Sequence, residues 1–246
     1  FFFFFRLPED NILYTINHAE DKLIIVHDDF LDLFQKISSS AVTVRGVLQI
    51  SESDNPKKDF LSSQIDFHGD YELRIKDMSS YYNPIEFHEN TRATTFYTTG
   101  TTGTPKGVYF SHRQICLHTL SVLSALSSQA NQGSMHKTDT YMPLTPMFHV
   151  HAWGIPYVAS LMGVKQVYPG RFEPAKILSL IKKESITFSH CVPTILQLLM
   201  DSPAIDTVDL SNWKVIIGGS ALSPSLANRA HDLGIDIFGG YGLSES

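Results

Sequence analysis

Pro174-Ala175-Lys176-Ile177-Leu178-Ser179-Leu180-Ile181-Lys182-Lys183 leads into Ile186-Thr187-Phe188-Ser189-His190-Cys191-Val192, and then into Pro193-Thr194-Ile195-Leu196-Gln197-Leu198-Leu199-Met200. The first segment puts Ile177, Leu180 and Ile181 on one helical face, the second reads as a strand, and the third is helical again. Its proline falls in the first turn, where the missing N–H is not needed. The alternation continues, with a strand predicted over 213–217, a helix over 224–233 and a strand over 235–238. Helices of this length between strands predict an α/β fold whose mostly parallel sheets are covered by helices.

The same rhythm runs upstream. Ile12, Leu13 and Ile16 recur at helical spacing within 8–20, a buried strand is expected over 23–26, a helix over 29–38 and a strand over 42–50. Residues 51–59, with Asp54, Asn55 and Pro56, read as a loop. The five phenylalanines of 1–5 read either as a buried strand or as a scar foreign to the protein, and they lack the basic start and cleavage site of a secretion signal.

Composition narrows the function classes. The 246 residues are 43% hydrophobic and 18% charged, ordinary for a globular protein with a sizeable core. Nineteen Lys and Arg stand against 25 Asp and Glu, with no dense basic run, so nucleic acid is not an expected partner. No segment is expected to span a membrane. Two cysteines, Cys116 and Cys191, build neither a disulfide framework nor a cysteine-rich zinc site, which fits a reducing, cytoplasmic compartment.

The chemistry concentrates in Thr98-Thr99-Gly100-Thr101-Thr102-Gly103-Thr104-Pro105-Lys106-Gly107, between strand-like runs at 94–97 and 108–110. Its three glycines allow tight turns and close backbone approach to an anion, its five threonines offer hydroxyls, and Lys106 adds a positive charge. Polyphosphate is the natural guest. A Walker A loop is excluded, because Pro105 and Gly107 occupy places that need Gly and Ser/Thr, and a strand rather than a helix follows. A flexible surface hairpin would account for the glycines and threonines but not for Lys106 between Pro105 and Gly107. Just downstream, Ser111 and Gln114 form an S-x-x-Q capping box that predicts a helix from His112 through Leu126.

Residues 97–107 resemble the signature loop of the AMP-forming adenylating enzymes, which include acyl-CoA synthetases, luciferases and peptide-synthetase adenylation domains. Two further stretches agree in chain order. Val215-Ile216-Ile217-Gly218-Gly219-Ser220-Ala221 resembles the family's strand and turn against adenine, and Gly240-Tyr241-Gly242-Leu243-Ser244-Glu245 resembles its G-Y-G-x-T-E motif. Between them, Pro146-Met147-Phe148-His149-Val150-His151-Ala152-Trp153 is most similar to the medium- and long-chain fatty acyl-CoA synthetase branch, with His151 where that branch often has Asn and Ser244 where it usually has Thr.

The resemblance implies that residues 1–246 are the central part of the large N-terminal, AMP-binding domain, an internal fragment without the start of that domain or a small C-terminal domain. It implies ATP, Mg²⁺ and CoA as reactants with a carboxylic acid, and it leaves a homodimer of the full-length protein open. Both reactants of the first step are anions, and two unit charges about 4 Å apart repel by roughly 4 kcal/mol at an effective dielectric near 20. Lys106 and Mg²⁺ would offset that repulsion, with Thr98 and Glu245 as metal ligands. Thr99, Gly100, Thr101, Thr102 and Gly103 would line the phosphates, Gly218, Gly219 and Ser220 the adenine, and Tyr241 would stack on the base beside Gly240, Gly242 and Ser244.

His149, Val150 and Trp153 would border the acyl pocket, His149 as a polar group where that pocket meets the phosphates. Trp153 reads equally as a gate for an apolar chain or as ordinary core. His149 and His151 stand two apart, so a strand would point both to one side as a metal pair requires, but no third ligand has suitable spacing. His151 reads as well as a satisfied buried histidine. An α/β-hydrolase reading fails because Gly242-Leu243-Ser244-Glu245-Ser246 lacks the final glycine of the nucleophile elbow. A nucleotide-binding fragment without catalytic activity and an adenylation domain for another acid remain as alternatives.

Overall fold

The computed structural model describes residues 7–51, 64–98, 104–128 and 133–244. The chain divides into two compact units, Phe1–Tyr109 and Phe110–Ser246. The phenylalanine run and nearly all of the expected 51–59 loop lie outside the described residues.

In the first unit, α1 (Glu9–His18) precedes β1 (Leu23–His27), α2 (Leu31–Ser38), β2 (Gly46–Ile50), β3 (Asp66–Asp70) and α3 (Tyr71–Lys76). β1, β2 and β3 form a parallel sheet in that order. The periodic residues Ile12 and Ile16 of α1 and Phe34 of α2 bury against Ile24, Val26 and Val47 of the sheet. Each fully buried side chain of this kind contributes roughly 1.5–3 kcal/mol. The strand expected over 42–50 starts only at Gly46. Residues before it fold into turns, in which Val42 and Val44 N–H groups donate to Ser40 and Ala41 carbonyls. β4 (Arg92–Thr98) and β5 (Lys106–Ser111) form a two-stranded sheet that flanks the signature loop.

The second unit opens with α4 (His112–Ser127), and its predicted capping box is present. The Ser111 hydroxyl accepts from Gln114 N–H at 3.2 Å, and the Gln114 side chain accepts from Ser111 N–H at 2.8 Å. There follow β6 (Thr140–Pro143), α5 (Val150–Trp153), α6 (Ile155–Met162), β7 (Lys165–Gln166), α7 (Pro174–Glu184), β8 (Phe188–Cys191), α8 (Pro193–Met200), β9 (Lys214–Ile217), α9 (Pro224–Asp232) and β10 (Asp236–Gly239). The sheet order is β10-β9-β8-β6-β7, and all neighbours are parallel.

Alternation along these strands creates two cores. Met142, Val215 and Ile217 pack with Ile177, Leu178 and Ile181 of α7, Leu196 and Leu199 of α8, and Ala230 of α9. Tyr141, Phe188 and Ile216 face the other way, onto Leu126 of α4 and Ile155, Val158 and Ala159 of α6. Helices therefore cover both faces of a parallel sheet, as the alternation predicts. Cys191 is buried and its thiol is pushed up to about 12 by loss of solvent, whereas Cys116 is exposed. Among the described residues no helix is long and apolar enough to cross a membrane.

Candidate functional site

In the second unit the carboxyl ends of β8, β9 and β10 meet in a glycine-built edge. Gly218 N–H donates to the Cys191 carbonyl at 3.2 Å, and Gly240 N–H donates to the Ile217 carbonyl at 2.8 Å, so the chain leaving each strand stays against its neighbour. Only a hydrogen side chain fits there. A methyl group on Gly218 would stand 2.8 Å from the Gly240 carbonyl oxygen and 3.1 Å from Trp153 Cη2, and one on Gly240 would stand 2.8 Å from Ile216 Cγ2. Gly219 follows with φ +81°, a left-handed conformation that favours glycine. Gly219, Ser220, Tyr241 and Gly242 are exposed, with Tyr241 at 94%, and Ser244 is half-buried.

The segment preceding this edge lacks the strand geometry that a His149–His151 metal pair would need. Residues 149–151 are not a strand. α5 is a single left-handed turn in which Val150, His151, Ala152 and Trp153 have φ of 49°, 52°, 50° and 58°, and Gly154 completes it at 71°. A left-handed residue with a Cβ costs roughly 1–2 kcal/mol, more for a β-branched side chain such as Val150, so four in succession need strong packing to persist. The i, i+2 geometry that would pair His149 with His151 is therefore absent. Among the described residues no three His, Cys, Asp or Glu side chains stand close enough to hold a metal ion.

Packing supplies what holds the turn. The Trp153 ring lies between the Gly218–Gly219 backbone and the His190 ring, whose centroid is 4.8 Å away at 45°. His190 stacks in turn on Tyr141 at 5.8 Å and 15°, and its Nδ1 is 3.1 Å from the Tyr141 hydroxyl. The His118 ring presses on Gly154, where a methyl group would come within 2.6 Å of Cε1, and His151 meets the edge of Tyr157 at 5.9 Å. Such outliers cluster where a structure holds strain for a functional purpose.

Burial sets the charge of these histidines. His190 is fully buried, and desolvation lowers its pKa to about 3, so it is a neutral imidazole. Its Nε2 has no hydrogen-bond partner among the described residues. Loss of water also lowers the pKa values of His118, His149 and His151, although His149 still reaches the surface.

The signature loop belongs to the first unit. Thr98 ends β4 half-buried, and Lys106 begins β5 exposed. Thr99 to Gly103, the expected phosphate lining, and Glu245, the expected metal ligand, lie outside the described residues. Gly107 rests on Tyr97, where a methyl group would stand 3.3 Å from the ring.

Two members of the aromatic column, Tyr141 and His190, escaped the sequence reading. A histidine inside the strand-forming Ser189-His190-Cys191 run was the available signal. Tyr141 joins it only through the parallel pairing of β6 with β8. A separate open groove of about 640 Å³, lined among others by Asp139, Lys182, Thr187, Asp209, Lys214 and Asp236, borders the amino ends of β8, β9 and β10. Ligands of open parallel sheets bind at the carboxyl ends, which favours the glycine edge.

The sequence model of the family described as AMP-binding enzyme matches residues 3–246. The chain belongs to the AMP-binding enzyme family. Similar relatives from this family include the long-chain-fatty-acid–CoA ligase of Thermus thermophilus, 35% identical over 98% of this chain and 42% of that protein. The medium-chain-fatty-acid–CoA ligase of Ectopseudomonas oleovorans is 34% identical over 98% of this chain and 43% of that protein. The chain thus spans less than half the length of these relatives. Among solved structures, the anthranilate CoA ligase AuaEII in complex with anthranoyl-AMP superposes with a TM-score of 0.81 at 21% identity, over 98% of this chain and 44% of that one. The N-terminal domain of FACL13 from Mycobacterium tuberculosis superposes at 0.75 with 22% identity, over 98% of this chain and 55% of that one. The AMP-binding enzyme fold therefore accounts for both parallel sheets and for the hairpin.

Proposed function

We propose that this chain is the central part of the AMP-binding domain of an acid–CoA ligase, inactive by itself, and that the whole ligase forms acyl-AMP from a fatty acid and ATP before transfer to CoA. The observation that carries the reading is the β4–β5 hairpin, which places Thr98 and Lys106 at the two stems of the Thr/Gly loop. The names of the two ligase relatives support a fatty acid as the substrate.

A magnesium ion, if bound with ATP, would offset charge on the phosphates. A hydroxyl from Thr98 and a carboxylate from Glu245 are hard oxygen donors suited to that ion. A carboxylate oxygen of the acid bonds to the α-phosphorus as the bond to the departing pyrophosphate breaks. The CoA sulfur then bonds to the acyl carbon, its proton is lost to solvent, and AMP leaves. Lys106 balances charge on the pyrophosphate as it departs, Gly218 to Ser220 and Gly240 to Ser244 receive the adenosine with Tyr241 against the base, and His149, Val150 and Trp153 border the acyl group.

Carboxylate-dependent exchange of pyrophosphate into ATP tests this. Lys106→Ala in the full-length protein is expected to slow exchange roughly 100-fold, the scale of losing one preorganised charge-stabilising donor. An unchanged rate removes Lys106 from the mechanism, and nucleotide binding without any exchange by the wild type would favour a binding module. Trp153→Ala is expected to shift the preferred acyl length towards longer chains by opening space over His190. A profile identical to wild type would reduce Trp153 to core packing.

A further inference from the structure

Tyr97 is the residue immediately before the signature loop, and its side chain leaves the hairpin for α1. The Tyr97 hydroxyl lies 2.5 Å from His18 Nδ1, in the last turn of α1. The two rings meet edge to face at 5.6 Å, and Tyr14, one turn back on the same helix, meets His18 at 5.3 Å and Tyr97 at 6.5 Å. Three aromatic rings thus close on one another across elements about 80 residues apart in sequence.

The other side of the contact is also fixed. Asn17, next to His18, donates its side-chain amide to the Ser40 carbonyl at 3.0 Å, and Ile16 is buried in the core of the three-stranded sheet. Gly107, directly after Lys106, lies on the Tyr97 ring without room for a side chain to pass unopposed. A single phenol therefore touches both stems of the loop and ties them to a helix anchored in the core.

Burial pushes the Tyr97 hydroxyl up to about 12, with Tyr14 and Asp21 adding to the effect, so the phenol keeps its proton. The Tyr97 hydroxyl and His18 Nδ1 share this hydrogen bond, and the imidazole tautomer decides which of them donates. Asp21, just past the turn that follows α1, carries a buried carboxylate oxygen without a partner among the described residues, and desolvation raises its pKa.

We propose that His18 is a positioning residue: through Tyr97 it fixes the height and tilt of the β4–β5 hairpin, and so the places of Thr98 and Lys106 relative to the phosphates. This rests on the nucleotide reading above, but the clamp itself can be measured without nucleotide. His18 touches no substrate in this scheme. Its effect falls on ATP binding, because a loop with loose stems samples the gripping geometry for only part of the time and apparent affinity drops by that fraction.

Two measurements on the full-length protein decide the matter. In hydrogen exchange without ligand, His18→Ala and Tyr97→Phe are each expected to speed exchange of the β4 and β5 amides about tenfold, and amides of β8 and β9 are expected to stay unchanged. With MgATP, His18→Ala is expected to raise KM for ATP three- to tenfold with kcat for pyrophosphate exchange within twofold. His18→Asn, whose side-chain amide can donate or accept near the place of Nδ1, is expected to restore most of the loss. Unchanged hairpin exchange in both variants overturns the clamp. Faster hairpin exchange with an unaltered KM overturns its link to ATP, as does a wild type that binds no ATP, and only that last result also removes the nucleotide reading.

Discussion

Lowering the pH from 7 to 5 is expected to remove about 2 kcal/mol of folding stability from the second unit through His190 alone. The imidazole is fully buried between Tyr141 and Trp153, and burial lowers its pKa from 6.5 to about 3. The unfolded chain takes up a proton on this histidine below about pH 6.5, and the folded chain refuses it until pH is near 3. Protons therefore favour the unfolded state across that window, so stability is full above 6.5 and falls as pH falls towards 3. His118, His149 and His151, also lowered by desolvation, act in the same direction. Urea melts followed by tryptophan fluorescence read this unit, since both tryptophans, Trp153 and Trp213, lie within it. His190→Asn keeps an acceptor for the Tyr141 hydroxyl and removes the titration. Its stability is expected to be lower at pH 7 because of the lost ring atoms but to change much less between pH 7 and 5. Equal slopes for the two proteins would mean that the acid sensitivity arises elsewhere.

The elements read correctly are those in which local pattern and tertiary demand agree. α7 and α8 carry apolar residues at helical spacing with proline in the first turn, and the sheet they cover is parallel because helices of that length separate its strands. The Ser111/Gln114 box located α4 because a cap is a local hydrogen-bond pattern and needs no tertiary context. β3, α3, β6, α6 and β7 are not legible in the local sequence pattern. β3 is polar, with Gly69 inside it, and becomes a strand by pairing with β2. α6 is apolar at nearly every position, including the exposed Leu161, so neither helical nor strand periodicity stands out in Ile155 to Met162.

The site follows the same division. The glycine edge was legible as an ordered set of motifs, because close backbone approach demands glycine at fixed places. The left-handed turn was not, since Val150, His151, Ala152 and Trp153 have no local reason to adopt positive φ. Their conformation is imposed by His118 on Gly154 and by the Trp153–His190–Tyr141 column, partners brought together only by the sheet. Strain and the long-range column thus belong to one device, which sets where Trp153 stands against the Gly218–Gly219 backbone.

Asp139→Ala is expected to destabilise the same unit by about 3 kcal/mol, the scale of removing one partner from a buried ion pair. Lys214 Nζ lies 2.8 Å from Asp139 Oδ2, and the two side chains are 16% and 8% exposed. Lys214 also donates to the Ser134 carbonyl at 2.8 Å and sits 5.6 Å from the centre of the Phe188 ring, while Asp139 accepts from the Thr187 hydroxyl and His136 N–H at 2.6 Å each. The truncation strands the ammonium among groups that cannot neutralise it. Burial alone would raise the Asp139 pKa, but hydrogen bonds from Lys214, Thr187 and the His136 backbone, with the charge of Lys214, hold it below 3.8. A carboxylate lowered in this way stabilises the fold above about pH 4 and loses that contribution only as pH falls through its own lower value. Its window lies below the pH 7 to 5 range assigned to His190, so Asp139→Ala should lower the urea midpoint by a similar amount at pH 7 and pH 5. The combined change Asp139→Leu with Lys214→Met removes both charges and keeps much of the volume, and it is expected to recover most of the lost stability. A double variant no more stable than Asp139→Ala would show that the hydrogen bonds to Thr187 and His136, rather than charge compensation, hold this corner of the sheet.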